Sequence, residues 1–93
     1  MNDKIEIIGM KVINKGNLIA TVSIKIYGMI INQMRIIQLN TGLRVDVPLL
    51  HWVDRGGHYY EKAIEMNDEL LEKIEKEVIN EYKKRKQITY HNS

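Results

Sequence analysis

The chain has 93 residues, of which 44% are hydrophobic and 28% charged, with a formal net charge of +2 and no cysteine. Such a chain makes one small soluble domain with one modest core; it excludes a disulfide framework and thiolate metal chemistry, and the setting expected is a reducing cytoplasm. No apolar run approaches the ~18 residues of a membrane span, and the acid-bearing start MNDKIEIIG has no signal-like apolar stretch.

In chain order, residues 4–14 are rich in β-branched side chains and predict a first strand, closed by the turn chemistry of Asn14-Lys15-Gly16-Asn17. Residues 18–27 alternate: Leu18, Ala20, Val22, Ile24 and Ile26 share one face, and Ile19, Thr21, Ser23, Lys25 and Tyr27 the other. Gly28 breaks that run, residues 29–39 predict a third strand, and Asn40-Thr41-Gly42 leads to a fourth over 43–47, ended by Pro48. From 49 to 58 periodicity is lost, with Asp54-Arg55-Gly56-Gly57 as a mobile loop, and residues 59–63 predict an edge strand. Asn67 then caps a helix whose first turn carries Asp68 and Glu69. Leu71, Ile74, Val78 and Tyr82, widened by Leu70 and Ile79, form the stripe that packs on the sheet. The expected class is α+β: a twisted antiparallel sheet of four to five strands with a C-terminal helix. Residues 1–86 form a single domain and 87–93 a short tail.

Strand parity places Lys11, Lys25, Arg35 and Arg44 on the face turned away from the helix, together with Ile19, Tyr27, Ile31 and Ile37 and the one acid Asp46. A face of that mixed character serves either as a dimer interface or as a platform for a polyanion, and its apolar content favours the interface. Charge is unevenly spread along the chain. Residues 1–60 hold seven Lys/Arg against four Asp/Glu, residues 61–81 three against eight, and residues 82–93 four against none.

Several segments together resemble stage V sporulation protein G (SpoVG), a family of bacterial septation and sporulation regulators. They are Met34-Arg35-Ile36-Ile37, the ungapped Asn40-Thr41-Gly42-Leu43-Arg44-Val45-Asp46-Val47-Pro48, the upstream Ala20-Thr21-Val22-Ser23-Ile24, and Asn67 with the helix that reaches Asn80-Glu81-Tyr82. The similarity covers about residues 4–86. It implies a small α+β domain that dimerises through strands and binds nucleic acid, DNA or RNA, in the cytoplasm without catalysis. Three positions depart from the family pattern. Leu49-Leu50-His51-Trp52 stands where a basic pair is usual after the proline, Glu65 replaces a proline before the helix, and Leu71 replaces an arginine in its first turn.

The densest cationic cluster is Lys83-Lys84-Arg85-Lys86. It suits phosphate binding by counterion release, and equally it suits a helix end, where cations in the last turn complement the dipole. Arg55, with His58, sits on a loop able to reach a nucleic-acid groove, unless the loop is an ordinary surface turn. Trp52 is a stacking or interface aromatic, or an anchor of that loop on the core. His51, His58 and His91 lack metal-ligand spacing, and Gly56-Gly57 lacks the length and the Lys-Ser/Thr ending of a phosphate loop. The helix carboxylates fall at the spacing of solvated ion pairs with Lys73 and Lys76. The expectation is a homodimer that binds nucleic acid through Arg35, Arg44, Arg55 and residues 83–86. No enzymatic activity, cofactor, metal, membrane or small-molecule substrate is expected. The alternative is a dimeric protein-interaction module that keeps the fold and has lost its nucleic-acid contacts.

Overall fold

The computed structural model describes residues 4–91, with side chains described for 4–86. β1 (Glu6–Lys15), β2 (Leu18–Ile26), β3 (Met29–Leu39) and β4 (Gly42–Asp46) form an antiparallel meander in the order β1-β2-β3-β4. A separate two-stranded antiparallel sheet follows, β5 (Leu49–Asp54) and β6 (Gly57–Lys62), and then the helix α1 (Asp68–His91). The chain is therefore α+β with a C-terminal helix. The edge strand expected over 59–63 belongs to a hairpin of its own, and the stretch expected to be irregular supplies its other strand.

Two-residue turns close the meander. Tyr27 and Gly28 both adopt left-handed backbone (φ 52° and 74°), which suits the right-handed twist of the strands they join. β2 behaves as its alternation predicts. Ala20, Val22, Ile24 and Ile26 are buried and meet Met34 and Ile36 of β3, Val45 of β4, Val47, and Ile74 and Val78 of α1. Leu70, Leu71, Ile79 and Tyr82 pack around that cluster, so the helix stripe is the expected one. Asn67 caps the helix, its Oδ1 accepting from the Leu70 amide at 2.8 Å. Residues 87–91, expected as tail, continue the helix, and 92–93 lie outside the described residues.

β3 departs from simple parity. Between the pairs Val22↔Met34 and Ile24↔Ile31, two steps along β2 face three along β3, and Gln33 sits at φ 63°. This bulge reverses the facing of the first part of the strand. Ile31, expected on the outer face, is instead 8% exposed in the core beside Met34 and Ile36. A second irregularity, between Leu18↔Ile37 and Ala20↔Ile36, exchanges another pair of roles. Ile19 packs against the core, while Leu18 lies in register with Ile37. Among the described residues no helix is long and apolar enough to cross a membrane.

Candidate nucleic-acid interface

The outer face of the meander carries a row in register across all its strands, Lys11–Thr21–Arg35–Asp46. Arg35 is tied into the fold: its Nε donates to the Val47 carbonyl at 2.8 Å and its Nη2 lies 3.3 Å from Asp46 Oδ2. Asp46 also accepts from the Val47 amide through Oδ1. Together these contacts seal the end of β4, where Pro48 has no N–H to give. Arg44 wraps around the sheet edge to the helix, with its Nε 3.5 Å from Glu75 Oε1. The two arginines embedded in the apolar strands thus bind strand to strand and strand to helix. Neither is presented as a free cation.

The apolar patch expected on this face does not assemble. Ile31 and Ile19 belong to the core side because of the two irregularities. Tyr27 sits in the β2–β3 turn and lines a shallow cleft with Asn67, Glu69, Leu70 and Lys73 at the start of the helix. Only Ile37, half-buried between Leu18 and Arg44 in register, stays where parity puts it. The remainder of the face is mixed: Ser23 Oγ donates to Asn32 Oδ1 at 2.8 Å, and Lys25 lies between Glu6 and Ile30.

The cluster at residues 83–86 is brought to the solvent. Arg85 Nε pairs with Glu81 Oε2 at 2.9 Å, one helical turn back. Lys83, Lys84 and Lys86 are exposed, and among the described residues no carboxylate lies within ion-pair distance of them. Lys86 Nζ stands 6.0 Å from the centroid of the Tyr82 ring. Since the helix runs on to His91, the cluster lies upstream of the final turn. The dipole's hold on cations is confined to about the last turn, so it accounts for less of this cluster than a helix ending at residue 86 would allow.

The β5–β6 hairpin pairs the expected edge strand with a stretch, residues 49–54, that sequence reasoning reads as irregular. Its turn is Arg55-Gly56, with the Arg55 amide donating to Asp54 Oδ1 at 2.6 Å, which places Arg55 at an exposed tip. One face carries Leu50, Trp52, Asp54, Tyr59 and Glu61, and the other Leu49, His51, Val53, His58, Tyr60 and Lys62. Trp52 stacks on its cross-strand partner Tyr59 with centroids 5.9 Å apart. On the opposite face His51 stacks on Tyr60 (4.6 Å, 9° between planes), and His58 lies edge to edge with His51 (centroids 5.2 Å, 14°), His51 Nε2 and His58 Nδ1 sharing a 3.0 Å hydrogen bond. Leu50, Trp52, Val53, Tyr59 and Tyr60 are all 40–65% exposed. A two-residue turn at Arg55-Gly56 would have signalled these pairings in the sequence, because it fixes His51 opposite Tyr60 and Trp52 opposite Tyr59. Among the described residues no three His, Asp or Glu side chains converge as a metal-ligand set.

Neither a protein-family model nor a curated protein nor a solved structure matches this chain.

Proposed function

We propose that the protein is a dimeric, non-catalytic, SpoVG-like regulator that binds nucleic acid in the cytoplasm, chiefly through phosphate contacts. The observation that carries this reading is the trio Lys83, Lys84 and Lys86, exposed and without ion-pair partners among the described residues, on a helix that continues past them. Each such cation that neutralises a phosphate releases a condensed counterion, which is the main source of non-specific affinity. Arg55 adds a cation at the hairpin tip. The residue-level resemblance to SpoVG supports the same reading, and it supplies the expectation of a regulatory role.

The dimer contact is assigned to the hairpin face bearing Leu50, Trp52 and Tyr59. An isolated two-stranded hairpin is at best marginally stable in water, and this one presents large apolar side chains on a chain too small to leave many of them idle. A second copy seated there supplies the missing packing. The same exposed side chains also favour a second reading, a protein-interaction module without nucleic-acid affinity.

A salt titration separates the two readings. A dimer neutralising about four to eight phosphates gives a log–log slope of about −4 to −7 on duplex DNA. Changing Lys83, Lys84 and Lys86 to Gln lowers affinity almost uniformly across sequences and flattens the slope by about one unit for each phosphate left unneutralised. Absence of binding at low salt, or an affinity indifferent to salt, overturns the nucleic-acid reading in favour of the interaction module. Unchanged affinity and slope in the folded triple variant would remove the lysines from the site.

A further inference from the structure

We propose that the His51–Tyr60 face of the hairpin is a stacking surface for single-stranded nucleic acid, an inference that rests on the nucleic-acid reading above. Tyr60 and His51 stack with 9° between their planes, and His58 lies beside His51 in nearly the same plane, joined to it edge to edge by the hydrogen bond. Tyr60 is 63% exposed, and a base laid on it continues the Tyr60–His51 stack. The rings are already ordered by the cross-strand register and by the His51–His58 hydrogen bond, so little side-chain freedom is left to lose on binding.

Charge separates the two faces of the hairpin. The Trp52 face carries Asp54 and Glu61, whereas the His51 face carries no carboxylate and ends in Lys62. At the base of the hairpin Lys62 shares a cleft with Asp46, Glu65 and Asp68, which disfavours phosphate there. The tip offers Arg55, with His58 beside it on the His51 face. A polyanion is therefore accommodated from the tip toward Tyr60 and stops short of the base.

The Tyr60–His51 stack also selects for strandedness. Bases inside a duplex are stacked on one another and present only their edges, while an unpaired strand can lay its base faces on aromatic rings. A β-ribbon that reads a major groove needs side-chain donors and acceptors aimed at base edges. This face offers Leu49 and Val53 beside the Tyr60–His51 stack, and its two imidazoles spend one nitrogen each on their mutual hydrogen bond.

The test compares a single-stranded DNA oligonucleotide, an RNA of the same sequence and a duplex, at one low salt concentration, for the native chain, Tyr60→Ile and Tyr60→Phe. Isoleucine keeps the β-preference and apolar bulk of the position without a ring, and phenylalanine keeps the ring. Tyr60→Ile should weaken single-strand binding by about five- to hundredfold and leave duplex binding unchanged, with Tyr60→Phe close to native. Chemical denaturation of each variant confirms that the shared core is intact. Three results overturn the inference while leaving nucleic-acid binding in place. They are undiminished single-strand affinity in the folded Tyr60→Ile chain, an equal loss on the duplex, and a change confined to sedimentation, which would make this face a contact between copies. No binding to any of the three nucleic acids removes the inference together with the functional reading.

Discussion

The meander with its helix buries one set of its apolar side chains and leaves others, such as Ile8, Val12 and Ile30, exposed, whereas the β5–β6 hairpin buries none of its own. In the first, Val22, Ile24, Met34, Ile36, Ile74 and Val78 are all at most 1% exposed. In the second, Leu50, Trp52, Val53, Tyr59 and Tyr60 are all at least 40% exposed. Burial specifies the meander: its strands find their facing because one side must leave water. The hairpin is held by a tight turn, a ladder and stacked rings, which leaves its side chains available to something else. Trp52, Tyr59 and Tyr60 therefore lie outside the core cluster, in the part of the described chain that contributes least to it.

Truncating the core should produce the largest effect. Ile36→Ala removes a fully buried side chain and should cost about 2–5 kcal/mol in urea denaturation, against less than about 0.5 kcal/mol for Val53→Ala. Equal losses would dissolve the contrast between the two regions. Next comes self-association. If the proposed dimer forms through this face, Trp52→Ala should weaken it by about 2 kcal/mol, near thirtyfold in sedimentation equilibrium, with secondary structure unchanged. A variant that dimerises as well as the native chain would free the Trp52 face from that role. Arg35→Gln should then cost about 1 kcal/mol, since it cuts the half-buried links to Val47 and Asp46. An Asn67→Ala change should lose a similar amount, about 1 kcal/mol, from the helix cap. The smallest effect runs the other way. Gln33→Gly relieves left-handed strain at the bulge and should stabilise by about 0.5 kcal/mol; destabilisation would mean that the Gln33 side chain contributes more than its backbone costs.

Much of the meander can be read from the sequence because its signals are local and periodic. The even positions of β2, the Asn67 cap and the Ile74–Val78 stripe each follow from spacing and residue type. Ile31 cannot be placed by parity, since one left-handed residue two positions later reverses the facing and nothing in Asn32-Gln33 announces it. Periodicity puts Arg35 on the correct strand, but its partner Val47 is set by the pairing of β3 with β4, a non-local fact. β5 is hidden for a different reason. A strand exposed on both faces has no hydrophobic alternation to read, so Leu49 to Asp54 looks irregular until its partner is known. The continuation of the helix past Lys86 has a weak signal: no Gly or Pro stops it before His91.

One backbone hydrogen bond, from the Ala63 amide to the Pro48 carbonyl at 2.9 Å, brackets the hairpin at its root. The chain leaves the domain and returns to it at the same spot, so the intervening segment behaves as an inset whose length is independent of what lies beneath. Adding a residue pair to each strand carries the tip outward by about 7 Å and preserves every facing, whereas a single residue added to each would interchange the two sides of the ribbon. Reach is thus adjustable in discrete increments without disturbing the foundation. Removing the whole inset and splicing its roots with a short turn should leave a smaller domain that still folds.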